Sequence, residues 1–197
     1  MADDAVAADR IHPETRQQWR TWLSAHHTRT AGVWMVSWRR HTGRPAMTYD
    51  EAVEEALCFG WVDSRPAKLD ADRTMLWYSP RRRGSAWSRP NKQRAERMTA
   101  TGRMADAGLA VVERAKADGN WTLLDAVEDL VVPADLAAAL EAAPPARERW
   151  EDFPRSTRRG ILEWIVQAKR PETRGRRVRQ TAELARRGER AQQWRGR

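Results

Sequence analysis

Cysteine is all but missing. Cys58 is the single one in 197 residues, which excludes an internal disulfide and a cysteine-rich zinc site. Lysine is scarce as well: Lys68, Lys92, Lys116 and Lys169 are the only four among 36 basic residues. Tyrosine and phenylalanine number two each, against eleven tryptophans. No run approaches the ~20 apolar residues that cross a bilayer, so no membrane span is expected. The opening stretch from Met1 to Arg10 is acidic and has no apolar block. A secretory leader is therefore not expected, and the chain reads as cytoplasmic. Also missing are a P-loop, a Gly-x-Gly-x-x-Gly turn and a Gly-x-Ser-x-Gly elbow. His26 and His27 are neighbours, about 100° apart on a helix, and His12 and His41 stand alone, so no metal-ligand spacing is present. These absences assign no catalytic residues, no cofactor and no metal.

The residues that are present describe a folded, basic protein. Hydrophobic content is 41% and the formal charge is +9. That is too apolar for wholesale disorder, and the length fits one domain or one domain with a small appendage. The charge is unevenly spread: net −1 over residues 1–60, +6 over 61–120, −4 over 121–150 and +8 over 151–197. Basic blocks invite an anionic partner such as nucleic acid. A general bias toward arginine and alanine gives the same charge with no ligand at all.

Residues 1–10 show no hydrophobic pattern and read as a flexible tail. Pro13 opens a helix on which Trp19, Trp22, Leu23 and His26 share one face. Val33 to Trp38 is a β-prone run, with Trp34, Val36 and Trp38 on one side. Thr48-Tyr49-Asp50-Glu51 is a capping box. It starts a helix that buries Ala52, Val53, Ala56 and Leu57 and ends at Gly60. Trp61–Ser64 and Thr74–Tyr78 are two further strands. Ser88 caps a helix to about Ala100, and another follows from about Met104 to Ala117. Beyond Asn120 the pattern is helical to about Gly188. The expected fold is α+β, mostly helical, with a small antiparallel sheet of about three short strands. Residues 11–120 form the mixed domain, 121–190 a helical module and 191–197 a second tail.

Two clusters could carry function. The first runs from Cys58 through Arg65 and resumes at Trp77–Arg81 and Trp87–Lys92. A helix start favours an anion, arginines add bidentate donors and indoles can stack on a flat ligand. Trp61, Asp63, Arg65, Trp77, Arg81, Trp87, Ser88 and Asn91 are therefore the candidate lining of a pocket for a small anionic ligand or a protein partner. The plainer alternative is that the tryptophans fill a core, Ser88 caps its helix and Asp63 pairs with Arg65 or Lys68. Cys58, at a helix C-terminus, reads as a buried structural residue. The second cluster, Lys169, Arg170, Arg174, Arg176, Arg177 and Arg179, lies between two helices. It is either a phosphate-contacting surface for nucleic acid or a solvated helical face. A small-molecule enzyme with a site around Trp61–Asp63 and Trp87–Asn91 is the third alternative.

The order of motifs resembles the bacterial YdeI/OmpD-associated family. It is carried by Thr48–Ala52, Cys58–Asp63, Ser79-Pro80-Arg81, Trp87-Ser88 and Asn91-Lys92. The C-terminal Pro133–Leu136, Phe153-Pro154, Trp164-Ile165 and Ala168–Arg174 resemble that family's small helical module. The resemblance implies a non-enzymatic protein of bacteriocin or cationic-peptide tolerance, with an association to an outer-membrane porin, acting through a ligand or partner.

Overall fold

The computed structural model describes residues 9–192, which divide into two compact units. The first comprises the residues through Ala86 and Pro90–Trp121, the second Trp87–Arg89 and everything from Thr122 onward. Of the tails expected at 1–10 and 191–197, residues 1–8 and 193–197 lie outside the described residues, and Ala191 is buried rather than tail.

The first unit is a helix-covered sheet of β1 (Arg10–Ile11), β2 (Val33–Trp38), β3 (Trp61–Lys68) and β4 (Arg73–Pro80), in the order β1-β2-β4-β3. Its helices are α1 (Arg16–His26), α2 (Tyr49–Cys58), α3 (Arg89–Ala100), whose first residue belongs to the second unit, and α4 (Asp106–Ala117). The α+β class stands, and the expected three strands become four. The extra one is Arg10–Ile11, paired in parallel with Trp34 and Met35, so the sheet is mixed. Arg10 is thus strand rather than tail. β3 runs through Pro66, and its register shifts between Asp63 and Pro66. An edge strand tolerates proline, and a bulge absorbs the lost donor.

Local chemistry explains the helix starts. Thr48 and Glu51 form the reciprocal capping box expected for α2. For α1 the cap is Thr15 with Gln18, so Pro13 lies ahead of the helix rather than in its first turn. Trp19 and Leu23 of α1 pack with Ala52, Ala56 and Cys58 of α2 over Val33, Met35 and Tyr78 of the sheet. The Trp19 indole donates to the Ala52 carbonyl at 3.0 Å. Trp34, Val36 and Met75 form a smaller cluster from alternate strand positions, which places it on the other face. Gly60, at φ +75°, ends α2 in the left-handed region.

Gly108 is where α4 meets the end of α2. A Cβ there would lie 2.3 Å from the Cys58 carbonyl oxygen, which is backbone and cannot yield. Gly108→Ala is expected to lower stability by about 1–3 kcal/mol, overpacking outweighing the gain in helix propensity. Gly160 on α8 (Arg155–Val166) has open space around it. Gly160→Ala is expected to raise stability by about 0.4–1 kcal/mol. Urea unfolding of both variants reads the opposite signs, and a neutral Gly108→Ala would show that the helices have room to part.

The second unit is helical: α5 (Asp125–Glu128), α6 (Ala134–Glu141), α7 (Ala146–Glu151), α8 and α9 (Pro171–Arg186). Leu136, Leu140, Trp150, Ile161, Leu162 and Ile165 are among its largest fully buried side chains. Glu128, nearly buried, takes two bonds from Arg159 at 2.7 and 3.1 Å.

Candidate binding site

One concave feature of the first unit is a cavity of about 450 Å³ against the α2 side of the sheet. β2 supplies Met35 and Ser37, β4 supplies Thr74, Leu76 and Tyr78, and β3 supplies Asp63, Ser64 and Pro66. These positions follow from register: Met35 faces Leu76, Ser37 faces Thr74 and Asp63 faces Tyr78. Met47, Thr48, Tyr49 and Ala52 close it from the start of α2, and Trp38 adds the end of β2. Most of the lining is apolar, and Asp63 is its only carboxylate, with no lysine or arginine in the lining. That combination suits a small organic ligand with a polar end.

The polar end has defined chemistry. The Tyr49 hydroxyl donates to Asp63 Oδ2 at 2.9 Å. Partial burial, then the hydrogen bond to Asp63 and its negative charge, push the Tyr49 phenol up to about 12, with Arg94 opposing. Tyr78 is fully buried, and its hydroxyl has no hydrogen-bond partner among the described residues. Burial, with Asp63 and Tyr49 adding to it, holds the Tyr78 phenol far above its ordinary value. Both phenols therefore keep their protons at neutral pH, and each oxygen keeps a lone pair that can accept. A buried hydroxyl left unpaired costs roughly 1–3 kcal/mol, which a ligand that satisfies it regains.

Two committed cations lie near this end. Arg94 donates to Asp50 and to Asn91 Oδ1, the latter at 2.9 Å, and its guanidinium lies 5.7 Å from the Tyr49 ring centre. Arg81 is buried and donates to the Ala86 carbonyl. Burial pulls its guanidinium down to about 10, and the Asp63 carboxylate acts against that fall.

The eight residues expected to line one hollow are distributed more widely. Asp63 lines the cavity. Asn91 is joined to it through Arg94 and Tyr49, and Arg81 feels its charge. Trp61 does not line it: the indole is 0% exposed, meets Trp22 edge-on and donates to the His27 carbonyl at 3.1 Å. It is a core residue, in line with the plainer reading. Arg65 and Trp77 lie elsewhere. The Arg65 guanidinium is 5.3 Å from the Trp34 ring centre and 5.2 Å from that of Trp77. Trp34 pairs with Trp77 across β2 and β4, on the alternate strand face from Leu76 and Tyr78. Trp87, 1% exposed, and Ser88 belong to the second unit. Asp63 pairs with neither Arg65 nor Lys68 but bonds Tyr49. Cys58 is buried, and burial raises its thiol.

Sequence reasoning missed Tyr49 and Tyr78 as site residues. Tyr49 was visible inside the capping box, and its 54% exposure marks it as unusual for an aromatic. In the second unit, Arg174 makes a two-pronged pair with Asp135 at 2.8 and 2.9 Å. Arg177 bonds the Trp164 carbonyl and stacks 4.9 Å from that ring. Lys169, Arg170, Arg176 and Arg179 are exposed. Two of the six basic residues expected to face nucleic acid are thus engaged within the unit. No group of three or more metal-ligating side chains occurs among the described residues, and no described helix is long and apolar enough to cross a membrane.

Comparison with known proteins separates the same two regions. Residues 11–111 match the family model described as a domain of unknown function (DUF8412). Residues 129–188 match the model described as "Bacteriocin-protection, YdeI or OmpD-Associated". The YdeI/OmpD likeness is thus carried by the helical module, while the part with the cavity matches a different model. No curated protein and no solved structure matches the chain.

Proposed function

We propose, from the premise that this chain belongs to the DUF8412 family and carries a YdeI/OmpD-associated module at residues 129–188, that it is a non-enzymatic binding protein. It takes a small organic ligand in the cavity between the sheet and the start of α2. The observation that supports this reading is an apolar cavity of about 450 Å³ ending in Asp63, Tyr49 and a buried, unpartnered Tyr78 hydroxyl. The chain acts in the cytoplasm, in tolerance of stress, bacteriocins or antimicrobial peptides. That role draws on the description of the matched module. The sequence suggests a small anionic ligand or a protein partner; the anion is set aside, because a carboxylate at the polar end repels one.

Tryptophol, an uncharged indole alcohol, is a suitable probe. Isothermal titration calorimetry of the whole chain is expected to give a Kd of order 0.1–1 mM, typical of a fragment-sized ligand. Ser37 lines the cavity on central strand β2, so Ser37→Trp places a ring in the space. It should weaken tryptophol at least about tenfold with an unchanged circular dichroism spectrum. Equal binding by both proteins would move the site elsewhere.

A further inference from the structure

We infer that the cavity selects a primary amine carried on an apolar body, with Asp63 taking the ammonium and the Tyr78 hydroxyl oxygen accepting a second of its hydrogens. The inference rests on the binding reading above and adds the class of ligand.

Three observations carry it. The cavity wall is apolar along β2 and β4, through Met35 and Leu76, and at Met47 ahead of α2. That buries a hydrocarbon or aromatic body. Among the lining residues Asp63 is the sole carboxylate, and it makes no ion pair with any described residue; its bond from Tyr49 occupies one oxygen only. An anionic group lining an apolar space with lone pairs to spare is matched by a cationic donor. Tyr78, paired directly with Asp63 across β3 and β4, brings a buried hydroxyl with no partner to the same end. An ammonium has three donors and no acceptor, so it can satisfy a carboxylate and a phenol oxygen together. A carboxylate ligand would meet Asp63 as a like charge.

The cations nearby do not reverse the sign. Arg94 is held by Asp50 and Asn91, Arg81 by the Ala86 carbonyl, and neither lines the cavity. The chain's net charge of +9 attracts anions in general. A preference for the amine therefore runs against the protein's overall field and reports the local carboxylate.

Three ligands with one indole body separate the possibilities: tryptamine, tryptophol and indole-3-acetate, titrated calorimetrically into the full chain at pH 7. Tryptamine is expected to bind at least about tenfold more tightly than indole-3-acetate. Asp63→Asn keeps the shape and is expected to bring that ratio to about one. Equal binding of all three ligands, or tightest binding of the acid, overturns the amine and leaves the cavity reading in place. An amine preference that survives Asp63→Asn overturns the role of Asp63. If none of the three binds, both readings fall.

Discussion

Trp61→Ala is expected to destabilise the first unit by about 3–5 kcal/mol, the range for removing a buried indole. The side chain is 0% exposed. It sits at the start of β3, directly after Gly60, and its ring meets Trp22 of α1 at 5.7 Å, edge to face. Removing it opens a void that neither the sheet nor the helix can close, because Pro80 opposite it and Gly60 before it are fixed by the β3–β4 ladder and the Arg81 bond to the Gly60 carbonyl. Trp61→Phe separates volume from hydrogen bonding. It keeps much of the packing but leaves the His27 carbonyl without its indole donor, so a smaller loss of about 1–2 kcal/mol is expected. Urea unfolding followed by far-ultraviolet circular dichroism measures both. An alanine variant as stable as the parent would mean that the indole is not a core residue, and a ligand-facing role would have to be reconsidered.

Glu55→Ala is the second large loss. Glu55 is 0% exposed on α2 and receives Arg16 at 2.5 Å, Arg20 at 2.6 Å and Arg103. Its neighbour Glu54 holds Arg16 and Arg97 at 2.8 and 2.6 Å. Deleting the Glu55 carboxylate leaves Arg20 and Arg103 without their carboxylate partner and Arg16 with Glu54 alone. Removing one side of a buried pair costs about 3–5 kcal/mol. The arginines here are 27–41% exposed, so about 2–4 kcal/mol is expected after solvent screening. The pH dependence has a definite sign. Burial alone would raise the Glu55 carboxyl, but the three arginines outweigh it and hold it below the ordinary 4.5. A carboxyl depressed in the folded state stabilises above its unfolded value and loses that contribution as pH falls through the folded one. The parent is therefore expected to lose stability steeply below about pH 4.5, and Glu55→Gln to show a flatter acid limb from a lower plateau. Parallel acid limbs would mean that other carboxyls drive the acid transition.

How much was readable depended on whether the signal was local. Thr48 and Glu51 cap α2 through contacts three residues apart, so the capping box was visible in the sequence. The same holds for Val33–Trp38, whose β-branched and aromatic run makes a strand in any company. Arg10–Ile11 was not visible, because two residues carry no periodicity. They become a strand only because β2 offers an open edge. The sequence signal for β3 stops at Ser64, since Pro66 reads as a breaker unless the bulge before it is known. The site suffered most. Trp61 and Asp63 are two residues apart in one strand, yet one is sealed in the core and the other lines a cavity. Nothing in the local pattern of β3 separates those fates, because they depend on Trp22 reaching Trp61 and Tyr49 reaching Asp63 from different helices. Tyr78 shows the same limit. Its burial follows from strand alternation, but its unpartnered hydroxyl is a property of everything packed around it.

The reading stands or falls on occupation of the cavity beside α2. A residue-resolved nuclear magnetic resonance titration of the whole chain with tryptophol observes that directly. The expected result is a saturating set of shifts at Met35, Ser37, Tyr49, Asp63, Leu76 and Tyr78, which line the space from four elements. Shifts centred instead on Trp34, Val36 and Trp77, on helix α9, or on no residue at all would contradict it.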